Sequence, residues 1–219
     1  MPRLIFEKTG NAVWISHLDL MRLFQRAFKR AGLCLTHTQG FNPRPSVSIA
    51  LPLSVGVESR CELLEFDLDG ELPPLAEMRK RLNDSLTEGI RVLQIYEGGK
   101  KLRDLALLRC SLTLEFDNGA SNEITSAIEA LFQREELTVG KKTKNGVVEQ
   151  NIIPMIKGIT VCKLNEQSIG IDCLICCQNP TLNPMQLIAA IEKYLPEFLP
   201  DHVCYCRKEI YTVNEKVFR

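Results

Sequence analysis

Arg60-Cys61-Glu62-Leu63-Leu64-Glu65-Phe66-Asp67-Leu68-Asp69 is the stretch from which the fold can be read. From Leu64 onward, Leu64, Phe66 and Leu68 point one way while Glu65, Asp67 and Asp69 point the other. Alternation of this kind marks a half-buried β-strand, because successive side chains leave a strand on opposite faces. Working outward, strand-like runs fall at Arg3–Lys8, with a hairpin continuing through Ala12–Ile15, at Ser46–Leu53 and at Ile90–Tyr96. Helical periodicity covers Leu18–Ala31 and Pro74–Leu86. The order β-α-β-β-α-β is that of the ferredoxin-like split unit.

Glu97-Gly98-Gly99-Lys100-Lys101-Leu102-Arg103-Asp104 is glycine-rich and then charged, and it divides the chain near its midpoint. Beyond it, Leu107–Phe116, Leu137–Lys142, Ser168–Gln178 and Val203–Val213 read as strands, and Glu123–Phe132 and Pro184–Tyr194 as helices. Thr143-Lys144-Asn145-Gly146 reads as an exposed turn. Asn151–Val161 fits either a strand or a helix, and Pro154 counts against a central strand. The expected fold class is α+β: two ferredoxin-like halves with antiparallel sheets, spanning residues 1–97 and 104–219.

Residues 16–45 carry the most functional information. Ser16 and Asp19 have capping-box spacing, Leu20, Phe24, Ala27, Phe28 and Ala31 form one apolar face, and Gly32 fits a C-cap. Arg22, Arg26, Lys29 and Arg30 share much of the opposite surface. With Arg44, and against Asp19 alone, they give residues 16–45 an excess of four positive charges. The 219-residue chain has 27 basic and 27 acidic residues, so the remainder must be net negative by the same amount. Such separation attracts a polyanion or an acidic protein surface; a solvated helix face is the plainer alternative. In Gly40-Phe41-Asn42-Pro43-Arg44-Pro45, the prolines hold the chain extended and can present Phe41, Asn42 and Arg44, or else form a rigid connector. His17, at the helix start, is a ligand, a general base or part of the cap. The candidate binding residues are therefore His17, Arg22, Arg26, Lys29, Arg30, Phe41, Asn42 and Arg44.

These residues also carry a resemblance. Ser16-His17-Leu18-Asp19-Leu20, the Arg26…Arg30-Ala31-Gly32-Leu33 stretch, Gly40–Pro45 and Pro52-Leu53-Ser54-Val55-Gly56-Val57-Glu58-Ser59 together resemble a family of bacterial radical-SAM-associated proteins. Its characteristic domain is a domain of unknown function, found alone or joined to radical SAM proteins with a cobalamin-binding region. The resemblance implies a radical SAM protein as partner. The chain itself has no Cys-x3-Cys-x2-Cys run to hold an iron–sulfur cluster. A weaker likeness, to the repeat-associated RNA-processing proteins of CRISPR systems, rests on architecture and a basic helix. The glycine-rich C-terminal loop expected there is missing from Val203–Arg219.

Nine cysteines and no export signal argue against a disulfide framework. Cys34, Cys61, Cys110 and Cys162, set among apolar neighbours, are expected to pack as small core residues. Cys173-Leu174-Ile175-Cys176-Cys177 lies in a strand-like run, so Cys173 and Cys176 face opposite sides. Cys204 and Cys206 share a face without a turn to bring them to a tight bite. Core thiols, with no metal, account best for all five. Phosphate-loop, nucleophile-elbow and zincin signatures are missing, as is any catalytic constellation. The start becomes charged before a signal-peptide core can form, and no apolar run is long enough for a membrane span, so a cytoplasmic protein off the membrane is expected.

The leading expectation is a non-catalytic adaptor or substrate-presenting module for a radical SAM enzyme, with RNA as a further partner and no resident cofactor. An aromatic content of only 6% limits base stacking and counts against the RNA component. The alternatives are an RNA-binding or RNA-processing protein using His17, and a purely structural protein–protein module.

Overall fold

The computed structural model describes residues 1–143 and 146–219. The fold is mixed α+β, and the described residues contain four α-helices. Two compact units divide the chain, residues 1–102 with Arg219 and residues 103–218.

In the first unit, β1 (Arg3–Lys8) is followed by α1 (His17–Arg30), β2 (Val47–Ile49), β3 (Glu58–Phe66), α2 (Leu75–Ser85) and β4 (Ile90–Tyr96). β1 pairs antiparallel with β3 and β4, and β3 pairs antiparallel with β2, giving the order β4-β1-β3-β2. One face of this sheet is apolar and both helices lie on it. Leu4, Phe6, Leu64, Phe66 and Val92 meet Leu20, Phe24, Phe28, Met78 and Leu82 in one core. Phe6 and Phe24 meet edge-on with centroids 4.6 Å apart, and Phe28 and Phe66 at 4.9 Å. Asn83 at the end of α2 brackets Val92 of β4, accepting its N–H at 2.8 Å and donating to its carbonyl at 3.0 Å.

Two sequence expectations need correction here. Ala12–Ile15 does not continue as a hairpin. Gly10–Trp14 forms a 3-10 turn, and the buried ammonium of Lys8 donates to the Ile15 carbonyl at 2.8 Å. Gly89, at φ +82°, closes on this turn; a side chain there would collide with the Thr9 carbonyl and come within 2.8 Å of Ala12 Cβ. The strand expected over Ser46–Leu53 is only three residues long, Val47–Ile49.

In the second unit, β5 (Leu105–Glu115), α3 (Asn122–Phe132), β6 (Thr138–Thr143), β7 (Gly146–Asn151), β8 (Ile156–Asn165), β9 (Ser168–Cys176), α4 (Met185–Tyr194) and β10 (His202–Thr212) follow in turn. The main pairings, all antiparallel, give the order β10-β5-β9-β8, while β6 and β7 pair with each other. Of the turn expected over Thr143–Gly146, residues 144–145 lie outside the described residues. Pro154 resolves the Asn151–Val161 ambiguity: it sits in a short 3-10 turn, Ile153–Met155, and the strand begins after it. Leu108, Cys110, Leu112 and Leu114 of β5 and Ile169, Ile171, Cys173 and Ile175 of β9 are buried on one face. Arg109 and Glu115 on the other face of β5 are exposed.

Cys110 and Cys173 sit opposite each other across β5 and β9 with their sulfurs 3.4 Å apart. Contact with the neighbouring sulfur and burial push the Cys110 thiol far above its ordinary range. Cys34 and Cys162 overturn the core reading, because both are exposed, and so is Cys204. Cys162 lies on β8 and pairs with Gly170, on the face where Asp172 and Leu174 are only half-buried.

Candidate functional site

α1 begins where the sequence says it should. Ser16 accepts the Asp19 N–H at 3.2 Å and donates its own hydroxyl to the Asp19 carboxylate at 2.7 Å. The Ser16 hydroxyl and then the Arg22 guanidinium hold the Asp19 carboxyl below its ordinary value. At the other end Gly32, at φ +69°, donates to the Lys29 carbonyl at 3.2 Å, and Leu33 donates to the Phe28 carbonyl at 2.9 Å. These are the two bonds of a Schellman stop.

With Leu20, Phe24, Ala27 and Phe28 buried, α1 turns its charged side outward. Arg22, Arg26 and Arg30, one helical turn apart, line a single groove of about 510 Å³ with Asp19, and Ile15 and Leu23 supply its apolar part. The three guanidinium groups differ in their engagement. Arg22 pairs with Asp19 at 2.9 Å. Arg30 donates to the Ser85 carbonyl at the end of α2, at 2.6 Å. Arg26 makes no hydrogen bond or ion pair among the described residues. Lys29 is exposed on α1 but lines no part of the groove. The groove therefore carries two net positive charges on a fixed helical scaffold, and the Arg26 guanidinium meets Asp19 only through longer-range attraction.

His17 is the first residue of α1 and is half-buried. Its Nδ1 is shielded and has no hydrogen-bond partner among the described residues, so no carboxylate orients the ring for acid–base chemistry. The block Pro52–Ser59 folds back beside this end of the helix. Gly56 donates to the Val13 carbonyl at 2.9 Å, and the exposed Trp14 ring lies over Gly56.

Gly40–Pro45 is the tip of a narrow hairpin-like tongue. Thr38 N–H donates to the Arg44 carbonyl at 2.8 Å, Arg44 N–H to the Thr38 hydroxyl at 3.0 Å, and Ser46 N–H to the Thr36 carbonyl at 2.8 Å. Phe41 at the tip is fully exposed, at 106%, and Asn42 and Arg44 are exposed beside it. Phe41 is therefore presented to solvent and is not packed inside a rigid connector.

The structure places Arg22, Arg26 and Arg30 in one groove, Phe41, Asn42 and Arg44 on one tongue, and His17 at the cap. Sequence reasoning missed the apolar contribution of Ile15 and Leu23 and the exposure of Trp14, Leu18 and Val55. Leu18 carried a signal: it falls outside the Leu20–Phe24–Ala27–Phe28 stripe, so a helix packed on that stripe must turn Leu18 to solvent.

A family model described as "Uncharacterized protein conserved in bacteria (DUF2344)" matches residues 2–184. No curated protein matches the chain. Among solved structures, the crystal structure of an unknown protein from Galdieria sulphuraria is similar over 97% of each chain, at 10% identity and a TM-score of 0.27.

Proposed function

This chain belongs to DUF2344, a family of bacterial proteins, and from that premise we propose that it is a non-catalytic adaptor whose α1 groove docks an acidic segment of a partner enzyme. The carrying observation is the convergence of Arg22, Arg26 and Arg30 on one groove with an apolar contribution from Ile15 and Leu23. Arginine forks hold carboxylates bidentately, and the apolar part of the groove accommodates the non-polar side of an amphipathic segment. The exposed Phe41 tongue supplies a second, apolar contact to the same partner. The sequence blocks containing these residues resemble radical-SAM-associated proteins, and a radical SAM enzyme is the partner we propose.

Each unit is in our reading a ferredoxin-like module. Its support is the shared succession β-α-β-β-α-β and the shared strand order, β4-β1-β3-β2 and β10-β5-β9-β8, with β6 and β7 inserted in the second. The proposed setting is the cytoplasm, and no described helix is long and apolar enough to cross a membrane.

An RNA reading draws on the exposed rings of Trp14 and Phe41, which could stack on bases. The two readings separate in one experiment. The tagged chain is used to capture partners from bacterial extract, with and without nuclease, beside the Phe41→Ala and Arg26→Glu variants. Recovery of a radical SAM protein that survives nuclease and is lost in both variants supports the adaptor. Recovery of nucleic acid alone, or of the same proteins by both variants, overturns it.

A further inference from the structure

The face of the second unit opposite its apolar core is not bare polar surface. The register of its strands gathers residues distant in sequence. Leu174 of β9 lies opposite Arg109 of β5 on one side and Gly158 of β8 on the other, and Asp172 lies opposite Thr160. These residues, with Ile159, Tyr211 and Glu215, line a groove of about 390 Å³. A Cβ built on Gly158 would meet nothing within 4 Å, so the groove is open there.

Its charges are distributed unequally. Arg109 donates through Nε to Asp172 at 2.9 Å, which neutralises both. The Tyr211 phenol lies near the same guanidinium, which Asp172 first and Tyr211 to a smaller extent hold above its ordinary pKa. Glu215 has no such partner: it makes no hydrogen bond or ion pair through its side chain among the described residues. It is also held in a conformation that an L residue adopts at a cost. At φ +54° it sits in a tight turn closed by Glu215 N–H to the Thr212 carbonyl at 3.0 Å and Thr212 N–H to the Lys216 carbonyl at 2.9 Å. Glycine would occupy that position without penalty. A glutamate there sacrifices stability and places an uncompensated carboxylate at the edge of a groove whose other members include Leu174 and an aromatic ring.

We infer that this groove is a binding site for a lysine side chain presented by a partner polypeptide. The aliphatic stem lies against Leu174 and the backbone at Gly158 and Ile159, the ammonium pairs with Glu215, and the Tyr211 ring face adds a cation–π contact. Because Arg109 and Asp172 already satisfy each other, Arg109 does not repel the incoming cation as a bare guanidinium would. The volume, in the lower part of the range for small-ligand pockets, suits one extended side chain with its flanking backbone. The site lies wholly in the second unit and is independent of the α1 groove, so either proposal can fail alone.

The test uses the full chain and NMR titration with the tripeptide Ac-Ala-Lys-Ala-NH2, its norleucine analogue and spermidine. The expected result is saturable shifts at Leu174, Thr160 and Tyr211 with the lysine peptide, at least 5-fold weaker binding by the norleucine analogue, and a similar loss in Glu215→Gln. Glu215→Gly should abolish binding while raising Tm. That pairing distinguishes a functional carboxylate from a merely tolerated turn residue, which would give the Tm gain with binding intact. Equal binding of the norleucine peptide, unchanged binding in Glu215→Gln, or a lowered Tm in Glu215→Gly overturns the inference. Tighter binding of spermidine than of the peptide overturns the assignment to a polypeptide side chain.

Discussion

Replacing Arg26 with glutamate should stabilise the protein and cripple its docking at once. Arg22, Arg26 and Arg30 stand at four-residue steps on α1. Neighbouring like charges at that spacing repel by about 0.2–0.5 kcal/mol per pair. The substitution removes two repulsions and installs two attractions of similar size, because both neighbours remain cationic. The offsetting loss is only the longer-range attraction between Arg26 and Asp19, since the Arg26 side chain makes no hydrogen bond or ion pair among the described residues. The expected gain is about 1 kcal/mol, a rise in Tm of about 2–4 °C for a chain of this length. Docking moves the other way. An exposed arginine–carboxylate contact is worth about 0.2–1 kcal/mol, and reversal replaces that attraction with a comparable repulsion. The loss of about 0.4–2 kcal/mol corresponds to about 2- to 30-fold in affinity. Calorimetric melting gives the first quantity. Fluorescence anisotropy with a labelled oligo-glutamate probe at low and high salt gives the second. A lower Tm, or probe binding as tight as in the parent at low salt, would refute the picture of a self-repelling arginine row kept for docking.

Three further outcomes follow from the same packing and charge arrangement. Ser16→Ala should cost about 1 kcal/mol, the usual worth of an N-cap, and it should bring the Asp19 carboxyl back toward its ordinary value, because the Ser16 hydroxyl is the largest cause of its depression. The sign is set by that depression: Asp19 stabilises the fold above its unfolded pKa, and the contribution fades as pH falls through the lower folded value. Chemical denaturation of parent and variant between pH 6 and about 2, with carboxyl NMR, checks both, and an unmoved Asp19 would break the assignment. Phe24→Ala should cost about 3–5 kcal/mol, because the ring is wholly buried and meets Phe6 at 4.6 Å; denaturant melts read this, and a loss under about 1 kcal/mol would contradict the packing. Thiol labelling of the native protein should stop at Cys34, Cys162 and Cys204, with the six buried cysteines reacting only on unfolding. Burial pushes the Cys177 thiol up to about 12, which removes its thiolate at neutral pH. Mass spectrometry of labelled peptides identifies the sites, and early modification of Cys110 or Cys173 would count against the core described.

What could be read in the chain before its structure depended on how local the governing physics was. α1 was legible from end to end because every determinant lies within about one helical turn of what it controls: the Ser16 cap, the apolar stripe and the Gly32 stop. The exposure of Arg22, Arg26 and Arg30 followed from the burial of Leu20 and Phe24 by helical geometry alone. Legibility failed wherever a distant backbone decided the outcome. Ala12–Ile15 has strand-like composition, yet Gly89 from beyond α2 closes on that segment and the buried Lys8 ammonium holds the Ile15 carbonyl, so it curls into a 3-10 turn. Cys162 has apolar neighbours in sequence, but its position on β8 opposite Gly170 turns it to solvent.

The same distinction separates the two grooves. A row of arginines at four-residue steps announces itself within nine residues, whereas Arg109 and Asp172 are 63 residues apart and meet only because β5 and β9 pair in one register. A one-residue slip of that register would turn Asp172 into the core and a buried neighbour outward, destroying the groove together with the packing of Ile171 and Cys173. The alternating burial that fixes the core of the second unit therefore also fixes its outer groove. Glu215 is the one member that this argument does not place: its carboxylate is set by a turn beyond the end of β10. A residue that neither core packing nor turn geometry requires, retained in a conformation that glycine would adopt more easily, is where selection for a ligand is best sought.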